Sequence, residues 1–320
     1  MTPMETRLDV IERAAVLADE LGYEVFTLPE AWALDGTAVL ATLARCTTRI
    51  KLAATILSIW GRSAATLAMA SATLQQLSGG RFVLGLGAST PDLAEGFHDV
   101  AYEQPVEKLR EVTSTVRELL RGVRVTLRRM PEARALRLGL PPAPEVPIWH
   151  GTLGPRAVRV TAELADGWLP VWLARDGVGG KVAELRSIRT EAGVPTPLVV
   201  TVAPVVVVDL DGAAARASAV TLIAWYLCSM GGLHPAFVAS QGFEAEVRAV
   251  RDANPRLTPT TGVIPPAAAR LIDQLAVAGA PEEVRFQLEA WDGVADIVNV
   301  SLPAGVPWEQ IETTIRAAAP

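Results

Sequence analysis

The chain has 320 residues, half of them apolar and a fifth charged, with 29 Lys and Arg against 35 Asp and Glu. That length excludes a lone small module, and that composition excludes a disordered chain. A net charge of −6 with no block of like charges gives no footprint for nucleic acid. The most apolar stretch, 197–208, contains Thr201 and Pro204 and falls well short of the ~20 residues that span a bilayer, so no membrane partner is expected. The first residues carry neither a basic flank nor an apolar run of signal type, which leads us to expect a cytoplasmic protein. Cys46 and Cys228 lack CxxC spacing and are read as buried thiols.

In chain order, residues 7–21 place Leu8, Ile11, Ala15 and Ala18 at three- and four-residue steps, with Gly22 as a stop signal, which predicts an amphipathic helix. A short apolar run at 24–28 ends in Pro29 and predicts a strand. Helix and strand then alternate: helix 37–46, strand 50–55, helix 64–77, strand 81–87, helix 105–121, strand 146–150, helix 155–165, strand 167–173 and helix 179–192. The β-branched run 197–208 follows as a strand, then helices 213–230 and 243–253, helix 281–291, strand 296–302 and helix 308–318. Strands separated by helices imply parallel βαβ units buried on both faces, which is why the strands are continuous apolar runs. Seven such strands, one short of eight, favour a (β/α)8 TIM barrel. Residues 1–320 are expected to form one domain. Two stretches are expected to leave the repeat: 122–145, rich in Arg and Pro, and 233–266, rich in Pro and Gly.

Barrels carry their chemistry where strands end. Residues 77–89 put a Ser-Gly-Gly turn before a strand and Gly85 and Gly87 near its carboxyl end, followed by Ala88 and Ser89. Glycine there either admits a ligand to the backbone or accommodates close packing. As a dinucleotide fingerprint the segment lacks its third glycine, and Pro91 interrupts the helix that should follow. Residues 150–156, His-Gly-Thr-Leu-Gly-Pro-Arg, close one strand and open a helix with Pro155 in its first turn. The amides around Gly154, assisted by Arg156, would suit an anion, or the segment is a plain helix start. Glu30 follows a strand end, where it is either a catalytic carboxylate or a surface group. His98, His150 and His234 have no metal-ligand spacing, so no metal is expected, and His150 stands at a strand end. Hydrolase GxSxG and NTPase P-loop signatures are absent.

The chain resembles the luciferase-like monooxygenase superfamily, most closely the branch of oxidoreductases that use the deazaflavin coenzyme F-420. The resemblance rests on Glu20-Leu-Gly-Tyr-Glu-Val-Phe-Thr-Leu-Pro-Glu30, Ala44-Arg-Cys-Thr-Thr-Arg-Ile-Lys-Leu52, residues 77–88, Pro147-Ile-Trp-His-Gly-Thr-Leu-Gly-Pro-Arg156, Ala162-Glu-Leu-Ala-Asp-Gly-Trp168 and Ala278-Gly-Ala-Pro-Glu-Glu-Val284. It implies a bacterial luciferase-like barrel that binds a flavin or deazaflavin at the carboxyl ends of its strands. On this resemblance, Thr55 and Ile56 would form a non-proline cis peptide against the coenzyme ring. Gly85, Gly87, Ala88 and Ser89 would lie along the ring and ribityl chain. Gly151, Thr152, Gly154, Pro155 and Arg156 would hold the phosphate. Glu30 and His150 are the candidates for handling a proton.

Family members open with a strand before the first helix, so the barrel here would lack its first strand and leave two open edges. Where the redox branch often has Glu-His, this chain has Glu30-Ala31-Trp32, and Ser89 replaces a frequent glycine. The leading expectation is a deazaflavin-dependent oxidoreductase that moves a hydride to or from a small organic substrate, acting as a homodimer. The alternatives are an FMN-dependent monooxygenase, a cofactor-free enzyme such as a cyclase on the same barrel, and a non-catalytic subunit.

Overall fold

The computed structural model describes residues 2–126, 130–258 and 261–320. Its strands are β1 (Val25–Leu28), β2 (Lys51–Ala54), β3 (Leu57–Ser58), β4 (Phe82–Gly87), β5 (Ile148–His150), β6 (Gly167–Trp168), β7 (Val199–Val202), β8 (Val205–Val208), β9 (Ala276–Gly279) and β10 (Ile297–Val298). Its helices are α1 (Leu8–Glu20), α2 (Gly36–Cys46), α3 (Ala64–Leu77), α4 (Pro91–Gly96), α5 (Pro105–Leu120), α6 (Pro155–Leu164), α7 (Val178–Glu191), α8 (Gly212–Ser229), α9 (Leu233–Val238), α10 (Glu244–Ala253), α11 (Arg270–Leu275), α12 (Pro281–Glu289) and α13 (Trp308–Ala317).

The main sheet runs β1-β2-β4-β5-β6-β7-β10, with β3 paired to β4, and every pairing is parallel. A flat sheet of seven strands would be roughly 29 Å across at ~4.8 Å per strand. Residues at the carboxyl ends of its first and last strands, Thr27 and Asn299, nevertheless meet at 3.2 Å. The sheet is therefore curled into a barrel with a seam between β1 and β10. Helices cover its outside, because strands buried on both faces need an apolar layer there. Leu67 of α3, Val116 of α5 and Leu40 of α2 are all fully buried in one core with Leu52 and Leu84.

Local chemistry sets the element ends. Asp35 caps α2 by accepting from the Thr37 and Ala38 amides, Ser63 caps α3 and Asp211 caps α8. At the amino end of the barrel, buried Asp19 accepts from the amides of Thr48, Arg49 and Ile50 and sets the entry into β2. Those bonds outweigh the opposing effect of burial and bring its carboxyl down to about 2. Arg81 ties the same end to β4 by donating to the carbonyls of Ala44, Thr47 and Ile50.

The strand expected over 197–208 is two. Pro204 has no amide to donate, so the chain leaves the main sheet there. β8 pairs instead with β9, which apolar periodicity had not distinguished, and a bridge between Val205 and Ser301 joins this pair to the barrel. The strand expected over 167–173 pairs only over β6. The excursion at 122–145 contains a single antiparallel bridge, Val125 to Leu136, among its described residues, and 127–129 lie outside them. In the second excursion, α9 and α10 pack with α8 and the β8–β9 pair around Phe243, Val247 and Val250, while 259–260 lie outside the described residues. Cys46 and Cys228 are free and half-buried rather than fully enclosed, and burial raises both thiols. Among the described residues no single helix is long and apolar enough to cross a membrane. One pair, α8 with the segment 233–253, passes that test only together and is bent by 107°.

Candidate active site

One cavity of about 510 Å3 opens at the carboxyl ends of the strands, within the ~300–1,000 Å3 range usual for ligand sites. Thr55 and Ile56 line one wall, and the peptide between them is cis. Ala88 and Ser89 continue that wall after β4. The Ala88 carbonyl accepts from the Trp60 indole at 2.7 Å, and Ser89, at φ 56°, is held by Tyr102 through its carbonyl. Gly151, Thr152, Gly154, Pro155 and Arg156 form the adjoining wall, where β5 ends and α6 begins.

Gly85 and Gly87 are not among the residues that line the cavity. A Cβ on Gly85 would stand 2.0 Å from the Ala54 carbonyl oxygen, and one on Gly87 would stand 3.0 Å from the Ile56 side chain. Both glycines let the Thr55–Ile56 turn approach β4, and through that turn they shape the wall. Gly154 differs: nothing lies within 4 Å of the Cβ it lacks. It is the N-cap of α6 with no side chain covering the free amides that follow, and Pro155 occupies the first helical position. Arg156 is exposed beside it and pairs with Glu107 of α5 at 2.5 Å.

Neither expected proton-handling residue is free. Glu30 reaches the cavity wall, but its Oε2 accepts from the Gly36 amide at 2.7 Å and from Arg62 at 2.9 Å, and its Oε1 accepts from Arg62 as well. The bidentate pair is largely buried, and Asp35 also contacts the guanidinium. The carboxylate thus fastens the segment after β1 to the start of α2 and to Arg62, just ahead of α3. His150 is fully buried outside the cavity, because alternation along β5 turns its side chain toward the helices. Its ring lies 2.9 Å from the Thr113 hydroxyl of α5 and 3.3 Å from that of Thr161 of α6. Burial, assisted by Arg117, pushes it down to about 3 and keeps it neutral. A ring that cannot touch a ligand cannot exchange a proton with one.

Further polar residues that line the cavity were not among the candidates read from the sequence. Among the described residues, the buried side-chain polar atoms without a partner are Thr2 Oγ1, Trp172 Nε1 and His234 Nδ1, and all three residues line this cavity. Trp172 stacks against Tyr226 with ring centroids 4.8 Å apart, and Tyr226 meets His234 edge-on at 5.5 Å. Burial lowers His234 to about 4 and raises the Tyr226 phenol, so both are neutral. Trp172 has φ 62°, a left-handed conformation unfavourable for a bulky residue. Gln241 holds it there by donating to the Trp172 carbonyl at 3.0 Å and accepting from the Ala174 amide at 2.8 Å. The second excursion therefore supplies one side of the site. A bulky residue between Pro170 and Arg175 was the only sequence signal for Trp172, and it carried no code. Among the described residues, no group of acidic, His or Cys side chains is arranged for a metal.

A parallel barrel with an apolar cavity, unpartnered polar atoms and a helix amino terminus at its strand ends defines a ligand-binding barrel of enzyme type. The model of the luciferase-like monooxygenase family matches residues 1–295, and the chain belongs to that family. It is 28% identical over 317 residues to a Mycobacterium tuberculosis protein provisionally named a coenzyme F-420-dependent oxidoreductase, covering 90% of this chain and 88% of that one. It is 29% identical over 259 residues to the 5,10-methylenetetrahydromethanopterin reductase of Archaeoglobus fulgidus, covering 77% of this chain and 74% of the relative. Its fold is similar to that of the coenzyme F-420-dependent tetrahydromethanopterin reductase of Methanopyrus kandleri, with a TM-score of 0.73 at 18% identity, covering 99% and 96% of the two chains. These relatives are oxidoreductases, the enzyme class expected from the sequence.

Proposed function

We propose that the chain is a coenzyme F-420-dependent oxidoreductase that moves a hydride to or from a small organic molecule in the cavity at its strand ends. The observation that carries this reading is the coincidence of the three unpartnered buried atoms with the uncovered amino terminus of α6 in one cavity. Buried polar atoms without partners cost roughly 1–3 kcal/mol each, and that all three belong to residues lining this one cavity supports a ligand site there. The residues present suit such a coenzyme. The amides after Gly154 and the positive end of α6 suit its phosphate, with Arg156 beside them. The flat wall of Thr55, Ile56, Ala88 and Ser89 suits a planar ring. When bound, the deazaflavin would supply the centre that gives or takes the hydride. The protein's part is to orient, to exclude water and to meet the substrate's polar atom. Trp172 carries an indole N–H donor and His234 a neutral imidazole, both on residues that line the cavity. His234 and Trp172 replace His150 and Glu30 as the groups that face a substrate.

Titration of the protein with oxidised coenzyme F-420 and, separately, with FMN tests this reading through fluorescence quenching. Micromolar binding of the deazaflavin is expected, together with a loss of about tenfold or more in Gly154→Asp, which sets a carboxylate against the phosphate while providing a good helix cap. Preferential binding of FMN would make the chain a flavin enzyme instead. Failure to bind either would overturn the coenzyme assignment and favour the cofactor-free or non-catalytic alternatives.

A further inference from the structure

The sheet order divides the cavity into two sides. The walls suited to the coenzyme follow β2, β4 and β5, neighbours in the sheet, whereas Trp172 follows β6, and Thr201 and Ala203 lie at the end of β7. α8 and α9 complete this second side with Leu222, Tyr226, Met230, Leu233 and His234. Leu222 and Tyr226 lie one turn apart on α8, with Met230 a further turn on at its end, so a single stripe of that helix serves the cavity.

Charge is distributed unevenly between the two sides. Among the described residues that line the cavity, the charged side chains are Glu30 and Arg156. Arg156 stands at the start of α6, on the coenzyme side, and Glu30 is committed to Arg62 and the Gly36 amide. The polar groups of the second side are neutral: the hydroxyls of Thr201 and Ser301, the Asn299 amide, the Tyr226 phenol and the His234 imidazole, which burial holds well below its ordinary range. Such groups can meet a carbonyl or a hydroxyl, but none neutralises a carboxylate or a phosphate. A buried charge without a partner costs far more than an uncharged polar atom that needs one hydrogen bond. Beside the turn between α8 and α9, Asp92 of α4 places its Oδ2 4.0 Å from where a Cβ on Gly231 would stand, which sets a like charge in the path of an anion. Apolar side chains stand at the mouth as well, since Val171 and Leu233 line the cavity and remain 39% and 44% exposed.

We propose that this second side is the substrate subsite and that it takes an uncharged, largely apolar molecule with a flat ring and one carbonyl or hydroxyl oxygen. The inference rests on the coenzyme occupying the α6 side. The ring lies against Trp172 and Tyr226, whose ring centroids are 4.8 Å apart, and Val171 and Leu233 cover its outer end. The oxygen meets the neutral hydrogen-bonding groups. Charged analogues are rejected by the cost of leaving their charge unpaired rather than by their size.

The test uses the full chain and three ketones that share an acetylphenyl core: 4-tert-butylacetophenone, its 4-trimethylammonio isostere and 4-acetylbenzoate. Isothermal titration calorimetry reads their binding to the protein alone and with oxidised coenzyme F-420 present. The tert-butyl ketone is expected to bind about tenfold or more tighter than either charged probe. Leu233→Arg, at an exposed position of the mouth, should shift the affinity ratio between the tert-butyl ketone and 4-acetylbenzoate by about tenfold toward the carboxylate. Equal affinity for the three probes, preference for either charged one, or no binding of any of them would overturn the proposal. An unchanged ratio in Leu233→Arg would overturn it too, by placing the ketones elsewhere. Coenzyme titration in the same calorimeter keeps the two readings apart. Selectivity for the uncharged ketone without coenzyme binding would overturn the coenzyme assignment alone, and coenzyme binding without that selectivity would overturn the substrate class alone.

Discussion

Replacing Gly85 by Ala separates two uses of a glycine at a strand end. The added Cβ would stand 2.0 Å from the Ala54 carbonyl oxygen and 3.1 Å from its carbon, against an ordinary C···O contact of about 3.3 Å. β2 and β4 must therefore part by about 1.3 Å next to their paired residues Leu52–Phe82 and Ala53–Val83. Strain in a close-packed core costs roughly 1–3 kcal/mol, and weakening one or two ladder hydrogen bonds adds about 1 kcal/mol each. The expected loss is about 2–5 kcal/mol, a large part of the stability of an ordinary protein. At about 2.1 cal/mol/K per residue, a 320-residue chain loses about 0.7 kcal/mol per degree, so Tm should fall by about 3–7 °C. Thermal and urea denaturation followed by circular dichroism measure this, with coenzyme titration alongside. A Gly85→Ala protein with an unchanged midpoint but no coenzyme affinity would refute the reasoning, because the glycine would then meet the ligand rather than the Ala54 carbonyl.

Glu30→Gln leaves Arg62 with Asp35 as its remaining anionic partner and should cost about 1–3 kcal/mol in urea denaturation. Unchanged stability with abolished turnover would return Glu30 to a catalytic role. His150 is neutral when folded and titrates near its ordinary 6.5 when unfolded, so its contribution is complete above pH 6.5 and declines as pH falls toward 3. The stability advantage of the wild type over His150→Asn should shrink through that window, and an advantage independent of pH would contradict the burial argument. Trp172→Phe removes an unpartnered indole nitrogen and should be neutral or stabilising by about 1 kcal/mol while weakening substrate binding. A stability loss above about 2 kcal/mol would show that the nitrogen is satisfied within the fold. Arg156→Ala, at an exposed pair, should change stability by less than about 1 kcal/mol but raise the coenzyme dissociation constant, and an unchanged constant would remove Arg156 from the phosphate site.

The order of helices and strands was legible because each βα unit writes its own period: apolar runs for strands covered on both faces, three- and four-residue steps for the helices over them. The seven strands along the path of the main sheet were legible too, each within an apolar run. The turn glycines could be located but not interpreted. Whether Gly85 faces a ligand or the Ala54 carbonyl depends on how the chain turns at the end of β2 beside its paired neighbour β4, which has no local signature. His150 misled for a related reason. Its place at the end of β5 was correctly read, but a side chain at a strand end points into a barrel or out of it according to register, and three residues are too few to fix register from alternation. Trp172, Tyr226 and His234 were beyond reach altogether. They come from the loop after β6, from α8 and from α9, and only the packing of α8 and α9 over the strand ends brings them to one cavity. The sequence by itself determined the repeat, its length and the positions of its turns, because those follow from local periodicity. Tertiary structure alone decided which side chains line the cavity, because that depends on contacts between segments far apart in the chain.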